Sequence, residues 1–303
     1  MRLAIIINPT SGRSGNRDSA GLLRVEHARR LIDRPRVEAD IVLTTSRGHG
    51  AELARSYVSR NFDVVMAWGG DGTVNEIAGP LIGTQTALGI IPFGSGDGLA
   101  RSLGLYTNAS SAFAAAVTGP VADIDVGYLG DRHFLNVAGI GFDAAIATSF
   151  NKSIQRGAAG YVARILGMVW SYRPARYRLV LDGQSREGGF FLVAFANGRE
   201  YGNHLVLAPN ADPSDGWLDV ALVDDGSPLR QLWRARRLCV TPGRPAEGLT
   251  RTRIRAASVY GNPLVCHVDG ESFETAGKLD VRIAPGALRV RGIAAGMAER
   301  MRR

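Results

Sequence analysis

Three short glycine-rich stretches in the first third of the chain carry the residue types that hold phosphate. They are Asn8-Pro9-Thr10-Ser11-Gly12, then Gly69-Gly70-Asp71-Gly72-Thr73 running into Asn75-Glu76, then Pro92-Phe93-Gly94-Ser95-Gly96-Asp97-Gly98. Glycine lets backbone N–H groups approach phosphate oxygens with no Cβ in the way, and a helix N-terminus after such a turn adds partial positive charge. One such turn alone is ordinarily a tight strand-to-helix connection. Three of them, two with a hydroxyl and an acid, point to a nucleotide polyphosphate. The chain has no G-x-x-x-x-G-K-[ST] run, so it is not a P-loop protein. It also lacks HExxH, GxSxG and any histidine cluster, which removes zinc-protease and Ser/His/Asp hydrolase chemistry.

The elements around these turns must bring them together. Leu3–Ile7, Val37–Leu43, Val64–Trp68 and Ala87–Ile91 read as short buried strands. Between them lie helical patterns: Ser19–Ile32, with Leu22, Leu23, His27 and Leu31 on related faces, then Ala51–Arg60 and Val74–Ile82. Leu99–Leu103 opens another helix. This alternation predicts a three-layer α/β domain with a parallel sheet, in which the three turns converge at the C-terminal ends of the strands.

From about Val126 the pattern changes to strands joined by Gly, Pro and Asp turns. These are Phe134–Ala138, Tyr177–Asp182, Phe190–Asn197, Leu218–Val223, Arg253–Val259, Leu264–Asp269 and Leu279–Ala284. They predict a second domain that is a mostly antiparallel β-sandwich, with the active site in the cleft between the two. The expected division is 1–125 and 126–285, with 286–303 returning to the first domain. One helical pattern, Ala158–Tyr172, interrupts the strands.

A chain of 303 residues has room for two such cores, and its 21% charged content is that of an ordinary globular protein. The net charge of +8 calls for an anionic partner. Cys239 and Cys266 form no CxxC pair, which fits a reducing cytoplasm. The apolar run before Asn8 is too short for a signal peptide, and no stretch approaches the roughly 18 apolar residues that span a bilayer. Any membrane contact is therefore expected to be peripheral.

Asn8-Pro9, Gly69-Gly70-Asp71-Gly72-Thr73-x-Asn75-Glu76 and Pro92-x-Gly94-Ser95 together resemble the diacylglycerol kinase catalytic-domain family. That family includes bacterial diacylglycerol kinases, YegS-like lipid kinases and sphingosine kinases. The resemblance continues in Asp212-x-x-Asp215-Gly216 and Val268-Asp269-Gly270-Glu271, and so covers nearly the whole chain in order. It implies an ATP- and magnesium-dependent kinase that phosphorylates a hydroxyl of a membrane lipid such as diacylglycerol or a sphingoid base.

It also implies roles. Asn8, the Gly69–Thr73 turn, Gly94 and Ser95 would hold the ATP phosphates, and Thr44, four residues before Gly48, would contact the nucleotide. Asp71 would position the catalytic magnesium ion, Asp269 would be the general base, and Glu271 would assist it. Asn75 and Glu76 are either direct contacts or helix-terminal hydrogen-bonding groups. Asp269-Gly270 is equally the favoured pair for a hairpin turn. Asp212, Asp215 and the Trp217 carbonyl resemble a second magnesium site, although Asp-Pro-x-Asp-Gly also makes a solvated turn. In one place the chain departs from the family's pattern: the third turn ends Asp97-Gly98 where the bacterial enzymes carry Asn-Asp.

Two regions bear on partners. Ala144–Leu181 has no acidic residue and contains Lys152, Arg156, Arg164, Arg173, Arg176 and Arg178 with Trp170 and Tyr172. It reads either as a helix docking on anionic headgroups or as one packed on the β domain with a solvated basic face. Arg230, Arg234, Arg236, Arg237 and Arg244 continue the basic character. No nucleic-acid motif accompanies the charge, and homodimerisation is left open.

Three rivals were weighed. Gly139-x-Gly141-x-x-Ala144 matches a dinucleotide fingerprint but offers no acid for the ribose before Asp182, and reads as a turn near the lipid pocket. An NAD kinase shares Gly-Gly-Asp-Gly, but Asn8-Pro9 and Asp269-Gly270-Glu271 favour the lipid kinases. A non-catalytic binding protein of the same fold would not need both Asp71 and Asp269.

Overall fold

The computed structural model describes residues 1–12, 17–32, 37–94, 96–105, 108–151, 166–202, 205–239 and 246–293. The first half is built from strands β1 (Arg2–Ile7), β2 (Glu38–Leu43), β3 (Val64–Gly69) and β4 (Ala87–Pro92), all parallel in the order β2-β1-β3-β4. Leu3, Ala4, Ile5, Ile6 and Ile7 are all fully buried, as expected of a strand covered on both faces.

The pleat sorts them. Leu3, Ile5 and Ile7 face a core shared with α1 (Arg17–Ile32), which contributes Ala28, and α5 (Ala109–Thr118), which contributes Phe113. Ala4 and Ile6 face the opposite core, which receives Ala54 and Tyr57 of α2 (His49–Ser59), Val74 and Ile77 of α3 (Asp71–Ala78) and Leu99 of α4 (Gly98–Ser102). The layers are therefore helix, sheet, helix.

In the second half, β5 (Val121–Leu129), β6 (Arg132–Phe134), β7 (Val137–Gly141), β8 (Ala175–Leu181) and β9 (Gln184–Ala196) precede a short β10–β11 pair (Glu200–Gly202, Leu205–Val206). β12 (Leu218–Asp224), β13 (Leu249–Ile254), β14 (Ala256–Val268) and β15 (Glu271–Arg291) complete it, antiparallel in the order β13-β12-β9-β7-β14-β15. Phe134, Phe190, Phe195, Leu222 and Val259 fill the core between its layers. The 21-residue β15 joins the halves. It leaves the hairpin with β14, pairs with β5, and lies parallel to β4 where Val290 meets Leu88.

Several expectations need correcting. On α1 the buried face is Gly21, Arg24 and Ala28, whereas Leu22 and Leu23 are each 65% exposed. Gly21 sets this face, because a Cβ there would lie 3.0 Å from Pro9. Arg253–Val259 is not one strand. The chain breaks at Arg255, where the Asp182 carboxylate accepts the N–H groups of Arg255 and Ala256. Gly139–Gly141 is strand rather than turn, and runs straight into the helix α6 (Phe142–Asn151).

Helix α7 (Pro228–Cys239) carries no plain apolar stripe in its sequence, since its buried side includes Gln231 and Arg234. Arg234 is only 3% exposed and donates to the carbonyls of Asp224 and Glu247, so it does not belong to a basic surface. Of the helix expected over 158–172, residues 166–171 are helical, and residues 152–165 lie outside the described residues.

Candidate active site

The three turns meet at the C-terminal edge of the parallel strands. The second and third pack backbone to backbone: a Cβ on Gly70 would sit 3.1 Å from the Gly94 Cα, and one on Gly94 would sit 2.8 Å from the Gly70 Cα. Side chains on either would separate the loops. Asn8 tethers the first turn to the second, donating from Nδ2 to the Thr73 hydroxyl at 2.8 Å while its Oδ1 accepts from Thr10 N–H at 2.9 Å. Gly69 has no space for a side chain beside Thr73.

Arg24 adds a tie the motifs do not show. It is 6% exposed, donates to the carbonyls of Asn8 and Ser11 at 2.6 Å each, and stacks 4.1 Å over the Phe93 ring. Thr44 follows β2, its N–H bonded to Ile7 O. Ser95 lies outside the described residues.

The carboxylates come from both halves. Asp71 opens α3, and Asp269 sits with Gly270 at the β14–β15 hairpin, both in the left-handed region at φ 45° and 86°. The hairpin expectation and the placement of a carboxylate in the cleft are therefore both realised. A cavity of about 120 Å³ lies between Asp71 and Asp269, with Val74, Leu99, Leu135 and Val137 as apolar walls.

Asp269 is fully engaged. Its Oδ1 accepts from the N–H groups of Asn136 (3.0 Å) and Val137 (2.9 Å), and its Oδ2 accepts from Leu135 N–H and Asn75 Nδ2, both at 2.8 Å. These bonds split the apolar run Phe134–Ala138 into β6 and β7. Asn136 and Asn197 brace the bend, Asn136 donating to Glu200 O at 2.8 Å and Asn197 to Leu135 O at 2.8 Å. An asparagine inside Phe-Leu-Asn-Val-Ala was the sequence signal available for this feature.

Asp71 differs. Burial, then the charges of Asp97 and Asp269, push its carboxyl up to about 6. Asp97 is the residue at which the chain departs from its resemblance. It accepts the Gly94 N–H at 2.9 Å, the place an anion takes on a glycine turn, and burial raises its pKa as well. Glu271 lies beside Gly72, 3.4 Å from where a Cβ would be, and pairs with Arg47 at 2.6 Å. Asn75 thus belongs to the site through Asp269. Glu76 does not face it: its Oε1 accepts from Gly50 and Ala51 at 2.7 and 3.3 Å and caps α2, favourable for a carboxylate at a helix N-terminus.

Among the described residues no group of three or more acidic, histidine or cysteine side chains is preformed as a metal cage. The mutual repulsion around Asp71 nevertheless suits a hard divalent cation. With Asp97, Asp269 and Glu271 nearby, a polyphosphate would enter an acidic cleft that only a cation could neutralise.

At 212–217 the donor set is committed differently. Asp212 accepts from Ser214 Oγ at 2.7 Å, and Asp215 accepts from Trp217 N–H at 3.0 Å and forms an ion pair with Arg253. Arg253 also lies 3.8 Å from Asp219, and the Arg255 guanidinium covers the Trp217 ring at 4.4 Å. A guanidinium occupies the Asp215 carboxylate that a magnesium ion would require, so these residues do not fit the second metal site as they stand. The loop is held instead by Asp125, 1% exposed, which accepts from Gly216 N–H at 2.7 Å and Gly286 N–H at 2.8 Å.

Comparison with known proteins finds two family models along the chain. Residues 2–129 match the model of the diacylglycerol kinase catalytic domain, and residues 136–292 match that of the YegS C-terminal NAD kinase beta sandwich-like domain. A Mycobacterium tuberculosis protein named diacylglycerol kinase is 31% identical over 95% of this chain and 94% of its own length. A Chromohalobacter salexigens protein named "Probable lipid kinase YegS-like" is 38% identical, with the match spanning 63% of each chain. In fold, the crystal structure of a diacylglycerol kinase from Bacillus anthracis strain Sterne superposes with a TM-score of 0.73 at 20% identity, covering 98% of both chains. With a catalytic-domain match in its first half, a YegS-type sandwich in its second, and a relative aligned over nearly its full length, the chain belongs to the diacylglycerol kinase and YegS-like lipid kinase family.

Proposed function

We propose that this protein transfers the γ-phosphoryl group of ATP to a hydroxyl of a membrane lipid alcohol, of the diacylglycerol or sphingoid type. The observation that carries the reading is the cavity where Asp71 and Asp269 face each other beside the paired glycine turns. Phosphoryl transfer needs positioning, charge neutralisation and an acceptor for one proton. The turns at Gly70 and Gly94 suit the phosphates, with Asn8, Thr44 and Thr73 as further contacts. A magnesium ion bound at Asp71 would neutralise charge on the transferring group. The cavity admits the hydroxyl end of a lipid and leaves its tails outside.

Asp269 takes the hydroxyl proton in this reading. Its acceptor sites are all filled, so the incoming hydroxyl replaces the Asn75 amide, its one side-chain donor. One observation favours a second reading, in which Asp71 is the base: its pKa of about 6 is closer to neutral than that of an ordinary carboxylate.

The lipid is met at a bilayer surface. Leu166 and Trp170 beside Arg173, and Leu229 and Trp233 beside Arg230, Arg236 and Arg237, leave large apolar side chains exposed next to bases. Both helical segments pack on one hydrophobic cluster, through Met168 and Val169 on one side and Leu232 on the other. Among the described residues no helix is long and apolar enough to cross a membrane. Peripheral docking from the cytoplasmic side, where ATP is available, accounts for these features.

The test is transfer of radiolabelled γ-phosphate from ATP with magnesium to a panel of lipid alcohols in mixed micelles. Label in one lipid class is expected. Label in NAD and in no lipid would overturn the reading.

A further inference from the structure

The Gly139-x-Gly141 run, which nucleotide chemistry leaves without a task, seats a carboxylate–imidazole pair beneath the Asp269–Gly270 turn. Strand pairing places Gly139 of β7 directly opposite His267 of β14. A Cβ on Gly139 would lie 2.1 Å from Asp143 Oδ2, so the absent side chain is what lets the first turn of α6 bring its carboxylate across the strand. Gly141, at φ 96°, makes the bend from strand into helix. Asp143 Oδ2 then lies 3.0 Å from His267 Nε2, with the imidazole fully buried. On the other side of the ring, His267 Nδ1 accepts the Gly270 N–H at 3.3 Å. These two bonds fix the tautomer: Nε2 carries the proton and donates to Asp143, and Nδ1 is the acceptor.

The pair is costly to bury. Among the described residues Asp143 Oδ1 meets no donor. Tyr177 and Cys266, pushed up to about 12 chiefly by burial and further by the Asp143 charge, stay neutral beside it. An apolar pair of equal volume would stabilise the core as well or better, so what the pair contributes is placement.

We propose that His267 is a positioning residue for phosphoryl transfer, holding the Asp269–Gly270 turn so that the Asp269 carboxylate faces the cavity, with Asp143 fixing the tautomer in which Nδ1 accepts. This rests on the kinase reading above. The two amide variants of His267 treat the bond from Gly270 N–H oppositely, which separates it from packing. His267→Asn keeps an acceptor where Nδ1 stood and releases Asp143. His267→Gln keeps a donor toward Asp143 and releases Gly270.

In the micelle assay, His267→Asn is expected to retain kcat within about threefold, while His267→Gln loses about tenfold or more, since small displacements of a reacting group carry penalties of that size. KM for ATP should stay within about twofold in both, because the glycine turns lie on other elements. In the wild-type protein, long-range ¹⁵N NMR should show the Nε2–H tautomer of His267. Equal losses of kcat in both variants, tracking their melting temperatures, or an Nδ1–H tautomer, would overturn the positioning role. A wild-type protein that phosphorylates no lipid would instead overturn the kinase reading, with the tautomer still reporting on the geometry.

Discussion

At the scale of single residues, the site's tension is concentrated on Asp71. Its carboxyl is buried and faces Asp97 and Asp269, and its pKa of about 6 records that the folded protein holds a proton the unfolded chain has already released at that pH. Folding stability therefore falls as the pH rises from about 4 to about 6, and above that the whole cost of an ionised Asp71 is present. Replacing Asp71 with Asn should raise stability at pH 8 by about 1–2 kcal/mol while abolishing transfer. Paired urea titrations at pH 4 and pH 8 check this, with the gain expected only at the higher pH.

Asp71, Asn75 and Asp269 were legible because their spacing is local and motif-like. Arg24, Asn136 and His267 were not, because each acts on a segment brought near only by the fold. Arg24 reads as an ordinary helix-surface arginine until the loops at Ser11 and Phe93 close on it. Glu76, beside Asp71 in the motif, turned out to cap α2, since α3 points successive side chains in different directions.

At the scale of elements, the site depends on two loops that touch through glycine and on one hairpin. Gly94→Ala would place a methyl group 2.8 Å from the Gly70 Cα, and backbone cannot yield as a flexible side chain does. The two turns should separate by a few tenths of an ångström. KM for ATP is expected to rise at least about tenfold, with a melting temperature close to wild type, measured by nucleotide titration and calorimetry. Removing Arg24 attacks the same assembly from beneath. Arg24→Ala removes the guanidinium's bonds to two carbonyls and uncovers the Phe93 ring, and should cost about 2–3 kcal/mol by chemical denaturation.

The parallel strands were legible from their continuous apolar runs. The β6–β7 break and the Arg255 break were not, because each is imposed by an aspartate arriving from elsewhere in the chain. Helix α7 was hidden by its own chemistry, since Arg234 buries its guanidinium against carbonyls where the 3.6-residue period calls for an apolar residue.

At the scale of the whole molecule, β15 links the parallel-sheet half to the sandwich: it begins at the Asp269–Gly270 hairpin and ends beside β4. The basic, tryptophan-bearing segments at 166–173 and 228–237 are mostly helical and pack on the sandwich half. Replacing Arg236 and Arg237 with Glu and Trp233 with Ala should reduce co-sedimentation with vesicles containing anionic lipid by about tenfold or more at moderate salt. Activity on detergent-dispersed substrate should be nearly unchanged, and equal vesicle binding by the variant would remove this surface from the account.

The most direct test of the central claim is the catalytic constant of Asp269→Asn with lipid alcohol and ATP, alongside its affinity for ATP. The account predicts transfer reduced by about a thousandfold or more, with nucleotide binding within a few-fold of wild type. Substantial transfer by that variant would contradict Asp269 as the base.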